Sequence, residues 1–261
     1  MRSNDAADAP PWVLLRGLTR EQRHWGAFVP ALQAAEPAAR IVTLDLPGNG
    51  ARHRKRSPAR VEAMAGHCRH AMHALGIAPP YRVLAMSLGA MVATAWSMQH
   101  PNEIAALVLV NTSLRPFSPW HQRLRPRNHA ALLRLALMQR DPLARERTIL
   151  ALTSNAVSHD ERLLPCWAAY RCECPVSAAN TLRQLWAAAR FRAPCARPSE
   201  QVLVLASARD GLVDSRCSIA LARAWGCTLA THPWAGHDLP LDDAEWVVVQ
   251  IRDWAARRAR S

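Results

Sequence analysis

Short, almost uninterrupted apolar runs punctuate this chain, each followed by a turn signal and then, in most cases, by apolar residues at helical spacing. Trp12–Leu15, Ile41–Leu46, Tyr81–Met86, Ile104–Val110 and Gln201–Ala206 are such runs, with a weaker one at Thr228–His232. Runs without alternation fit strands buried on both faces of a parallel sheet. Between them the spacing predicts helices over Arg20–Glu36, with Trp25, Phe28, Val29 and Leu32 on one side, and over Ala59–Leu75, stopped by Gly76. A closing amphipathic helix is expected over Ala244–Arg257. Residues 115–198 read differently: helical patterns broken by prolines and tryptophans, with no convincing buried strand. The pattern therefore predicts an α/β fold, a mostly parallel sheet flanked by helices, built from residues 1–114 and 199–261 with a helical cap inserted at 115–198.

Composition narrows the function classes. Half of the 261 residues are hydrophobic, enough for a sizeable core and against disorder. The formal charge of +13 is almost all arginine, since Lys55 is the only lysine, and residues 115–198 hold fourteen arginines against five acidic residues. Such charge invites nucleic acid or an acidic partner. The one compact basic run, Arg52-His53-Arg54-Lys55-Arg56, reads as a solvated loop, and no nucleic-acid motif accompanies it. Seven cysteines are an odd count and no disulfide framework. Cys166, Cys172, Cys174 and Cys195 cluster, but C-x5-C-x-C is not a usual zinc spacing, so no metal is expected and buried packing is the simpler role. Residues 1–11 read as a frayed polar leader. With no apolar signal region and no run of eighteen apolar residues, a cytoplasmic protein without a membrane span is expected.

The chemistry concentrates where strands end. Tyr81–Met86 turns abruptly into a helix at Ser87, with Ala85 and Gly89 as the small residues two before and two after it. Such an elbow lifts a nucleophile above a sheet and aims the first helical N–H groups, Leu88 among them, at the reaction site. A serine hydroxyl needs a base, and the base needs an acid to hold its tautomer. Asp210 follows the strand QVLVLA, and His237 follows the next strand, in Ala235-Gly236-His237-Asp238; Asp214 is a rival acid. By contrast His67, His70, His73 and His100 follow no strand and read as solvated or packed. The loop Arg16-Gly17-Leu18-Thr19, leaving the first strand, is where a second oxyanion donor would sit.

With LLRGLTREQRHW (14–25), LDLPGNG (44–50), LAMSLGAMVA (84–93), LVLVNTS (107–113), VLASARDGLVD (204–214) and WAGHDLPLDDAEWV (234–247), the chain resembles the α/β-hydrolase superfamily. Within it the chain is most similar to small capped carboxylesterases, a group that includes the bacterial pimeloyl-acyl-carrier-protein methyl ester esterases. The resemblance implies a serine hydrolase of carboxylic esters without a cofactor: Ser87 as nucleophile, His237 as base, Asp210 as orienter, and the N–H groups of Leu18 and Leu88 as oxyanion hole. Arg16 stands where the group has histidine and Ala85 where it has glycine; neither substitution touches the backbone donors. Serine rather than aspartate at position 87 points away from dehalogenases and epoxide hydrolases. Phe117, Trp120, Leu132, Leu135, Met138, Trp167, Trp186 and Phe191 are candidates to line an acyl pocket. The arginine excess of the cap, including Arg123, Arg125 and Arg127, would suit docking of an acidic carrier protein, but a solvated charged face is the simpler explanation given the arginine bias of the whole chain. Thioester, lactone, amide or carbon–carbon hydrolysis on the same three residues remains open, as does a non-catalytic binding role.

Overall fold

The computed structural model describes residues 9–137, 141–156 and 162–258. Six strands form one parallel sheet: β1 (Trp12–Leu15), β2 (Ile41–Leu44), β3 (Tyr81–Met86), β4 (Ile104–Val110), β5 (Val202–Ser207) and β6 (Thr228–His232), in the order β2-β1-β3-β4-β5-β6. Strand order reverses between β1 and β3, and the crevice at the carboxyl ends of strands at such a point is where open α/β sheets bind ligands.

Both faces are covered at the centre of the sheet, so β1, β3, β4 and β5 are almost entirely buried and largely apolar. Neighbouring residues of β1 go to opposite sides: Val13 and Leu15 join the core under α2 (Val61–Ala74) and α3 (Leu88–Gln99), whereas Trp12 and Leu14 join that under α1 (Phe28–Ala35) and the closing helix. The helix expected over Arg20–Glu36 is shorter than its pattern. Gln22–Trp25 is a single 3-10 turn ended by Gly26 at φ +50°, a left-handed conformation that breaks the helix before α1 begins. The second helix stops at Gly76, with φ +65°.

Between β4 and β5 the described residues hold only helices, α4 (Trp120–Arg123), α5 (His129–Leu137), α6 (Pro142–Thr153), α7 (Leu163–Glu173) and α8 (Ala178–Arg190), and one isolated bridge, Arg115 to Arg192. Leu150, Leu164 and Trp167 make a small separate core there. After β5 follow α9 (Arg216–Trp225), α10 (Leu239–Asp242) and α11 (Ala244–Arg258). No described helix is long and apolar enough to cross a membrane. Of the cysteines, Cys68 and Cys217 are buried as a packing role requires; Cys166, Cys172 and Cys195 are exposed, which corrects that reading for them, Cys172 lining the cavity beneath the cap.

Candidate active site

Ser87 occupies the turn between β3 and α3 with φ +53° and ψ −116°. A side chain in that region is strained by about 1–3 kcal/mol and persists only where its surroundings hold it. Ser87 N–H donates to Val110 O at 3.0 Å, which ties the turn to β4. At Gly89 a Cβ would lie 2.5 Å from Leu15 O and 2.6 Å from Arg16 O, so the helix must carry glycine there to pass the end of β1. At Gly17 a Cβ would lie 3.2 Å from Ser87 Cβ, so the loop after β1 presses against the serine. In that loop Arg20 N–H donates to Gly17 O and Thr19 N–H to Gln184 Oε1, leaving Leu18 N–H without a partner among the described residues. Leu88, first residue of α3, has no intrahelical acceptor for its own N–H.

His237 is buried on the loop after β6, and its Nδ1 lies 2.7 Å from Asp210 Oδ2. A carboxylate only accepts, so Nδ1 is the donor and Nε2 of the neutral ring carries the free lone pair. Asp210 Oδ1 accepts from Leu212 and Val213 N–H at 2.8 and 2.9 Å, which fixes the carboxylate in turn. Burial lowers the imidazole pKa, but the charge and hydrogen bond of Asp210, helped by Asp238, outweigh it and leave it raised. Asp214 is engaged elsewhere. It receives both Nε and Nη2 of Arg216, which hold its pKa down at about 2, and it accepts the backbone N–H at the start of α9.

Ser87 and His237 open on one cavity of about 590 Å³, together with Gly17 and Leu18. No hydrogen bond joins Ser87 to the imidazole; contacts of this kind tighten when a substrate is in place. The structure thus brings Ser87, His237 and Leu18 to one crevice, with Asp210 behind the ring and Leu88 next to the serine at the start of α3.

The pocket candidates divide. Leu132 and Leu135 line the cavity. Trp120 and Trp186 are exposed at 68% and 57%, outside its lining, because they sit on outward faces of α4 and α8. Trp167 is buried in the small cap core against His24, with the Arg20 guanidinium over its ring. Phe117 packs edge-on to Trp225, and Phe191 is buried in the main core. Met138 lies outside the described residues. Arg123 and Arg125 are also committed, to Ala188 O and to Asp214, rather than free on a charged face.

Three residues escape sequence reasoning. Arg16, 2% exposed, forms a two-pronged ion pair with Asp238, Nη1 to Oδ1 at 2.9 Å and Nη2 to Oδ2, and lies over the Trp25 ring. The pair clamps the loop after β1 to the residue beside His237. Asn111, at φ +44° after β4, donates to His237 O at 2.8 Å and to Ser207 Oγ at 2.9 Å, anchoring the histidine loop. For Arg16 and Asn111 the signal is a polar residue directly after a buried strand; Asp238, six residues beyond β6, carries none.

A parallel sheet that gathers a strained serine, a buried histidine–carboxylate pair and free backbone donors at its switch point defines a hydrolase scaffold. A profile of the alpha/beta hydrolase fold family matches residues 10–164, more than half of the chain, so this chain belongs to that family and is a hydrolase of that superfamily. RutD of Klebsiella pneumoniae, assigned as a carbamate hydrolase, is 28% identical over 94% of this chain and 91% of its own. Among solved structures, BpoC of Mycobacterium tuberculosis, assigned as a non-haem bromoperoxidase, superposes with a TM-score of 0.74 at 23% identity, covering 96% of this chain and 93% of its own. A thermophilic esterase from Thermogutta terrifontis gives 0.70 at 21% identity, covering 95% and 90%. At these identities the structures share the fold.

Proposed function

We propose that the protein is a serine hydrolase of carboxylic esters working through an acyl-enzyme. The observation that carries this is the Asp210–His237 pair opening on the same cavity as Ser87, whose turn exists only under strain. Ser87 Oγ attacks the ester carbonyl carbon as His237 Nε2 takes its proton. The Leu18 and Leu88 amides hold the oxyanion. Collapse expels the alcohol, which takes the proton from His237, and water then attacks the acyl-enzyme through the same ring, releasing the acid and the free serine. The apolar side of the cavity, with Leu132 and Leu135 from the cap, suits an acyl chain. The 28% identity to RutD supports a second reading on the same residues, hydrolysis of a carbamate.

A fluorophosphonate probe is expected to label Ser87 and no other residue; an unlabelled serine in folded protein sinks the scheme and favours a binding role. The pH profile separates the two acids. Only neutral His237 is a base, so the acidic limb of kcat/KM lies above the ordinary imidazole value, and Asp210→Asn moves that limb down while removing most activity. Asp214→Asn leaves the limb in place. The stability that the pair contributes is complete below the unfolded imidazole pKa and disappears as pH rises through the raised folded value.

Docking of an acidic carrier protein on the cap is the reading for its arginine excess. Since Arg123 and Arg125 are committed internally, exposed Arg147 and Arg190 are the ones to reverse. Binding that weakens steeply between low and physiological salt, and further in the double reversal, is expected; none at low salt removes the idea.

A further inference from the structure

The cavity in front of Ser87 is lined by unlike residues. Leu132, Leu133 and Leu135 give it an apolar character, while Arg20, Arg145 and Arg171 bring a basic wall next to them, Arg145 reaching the Leu135 carbonyl. Among the described residues a single carboxylate pairs with these guanidiniums, and with only two of the three. Glu146, 1% exposed, accepts Arg20 Nη1 at 2.5 Å and Arg171 Nε at 2.6 Å, so both its oxygens are taken. The neighbouring His24 adds no negative charge and stays neutral, its pKa pushed well down by burial and by Arg20. Arg16 and Asp238, the other charges on the cavity, neutralise each other.

Donors are left over as well as charge. Arg20 is 7% exposed, and its Nη2 is buried with no partner. Arg145 gives Nη1 to Leu135 O, and its Nε is likewise buried and unpartnered. Arg171 engages only Nε, so its two terminal nitrogens make no bond among the described residues. Unsatisfied buried donors on charged groups are expensive, and burial with Arg171 alongside already pulls the Arg145 pKa down. A bound anion offsets the excess charge and offers acceptors to the terminal nitrogens of Arg171.

We propose that this wall is an anion subsite in which Arg145 and Arg171, backed by Arg20, hold a carboxylate at the far end of the substrate's acyl chain. The inference rests on the ester-hydrolase reading and narrows it to half-esters of dicarboxylic acids. Planar guanidinium and carboxylate pair through two parallel hydrogen bonds, which makes carboxylate the natural ligand.

Two probes of equal chain length test it: mono-p-nitrophenyl glutarate and p-nitrophenyl pentanoate. In the wild type kcat/KM is expected to favour the glutarate by about tenfold or more, mainly through KM. Arg145→Gln and Arg145→Met bring that ratio toward one, and Arg134→Gln, on an exposed face of α5, keeps it. A wild-type ratio at or below one, or one that survives both Arg145 variants, overturns the subsite. Calorimetric binding of glutarate to Ser87→Ala separates the two levels. If neither ester is turned over yet glutarate binds and Arg145→Gln abolishes binding, the subsite stands and the ester-hydrolase reading falls. If glutarate does not bind either, both fall.

Discussion

Ser87→Ala and His237→Ala are each expected to lower kcat/KM for p-nitrophenyl acetate by a factor on the order of 10⁴ or more, with folding intact. The magnitude follows from the division of labour. In the proposed mechanism the hydroxyl supplies the bond and the imidazole moves the proton, so removing either leaves only the backbone donors and the cavity. Those alone retain a modest acceleration over water, and the double variant is expected to be barely worse than either single one. Alanine at position 87 also releases no core packing, because the half-buried side chain faces the cavity. Unchanged circular dichroism with lost turnover is therefore the expected pair of readings. Wild-type turnover in either variant means that the ester bond is broken elsewhere.

Asp238→Ala is expected to destabilise the protein by about 3–5 kcal/mol, because it leaves the Arg16 guanidinium buried with no counter-charge. Arg16 has little to fall back on: Nε is already unpartnered, and the remaining contacts are Met86 Sδ at 3.6 Å and the Trp25 face. For a chain of this length the loss corresponds to about 6–20 °C in melting temperature. Arg16→Met combined with Asp238→Leu should restore much of the stability, since a fully apolar replacement removes both desolvation penalties. It should not restore full kcat, because the clamp between the oxyanion-side loop and the histidine loop is gone. Urea titration and steady-state kinetics on the three proteins check both statements; a single variant within about 1 kcal/mol of wild type refutes the first.

The sheet was readable because strands covered on both faces have no polar positions to alternate with, as Ile104–Val110 and Val202–Ser207 illustrate. The positions of Ser87, Asp210 and His237 followed from the same logic, since ligand sites in such folds gather on the loops after strands. What escaped depends on partners distant in sequence. Arg16 and Asp238 are 222 positions apart, and an arginine by itself reads as solvated. Trp120 and Trp186 looked like pocket residues on hydrophobicity alone, but which side of a short helix faces inward is decided by packing. The basic wall was hidden likewise, because fourteen arginines over 115–198 look alike until the fold brings Arg145 and Arg171 to the cavity beside Arg20.

Gly89 carries a consequence for adaptability. With Leu15 and Arg16 carbonyls where even a methyl group would sit, the ground beneath Ser87 admits almost no drift. Leu133 and Leu182, at 60% and 62% exposure on the cavity rim, have room to change size. Directed evolution toward new acids should therefore gather its successful mutations along that rim, leaving the elbow untouched.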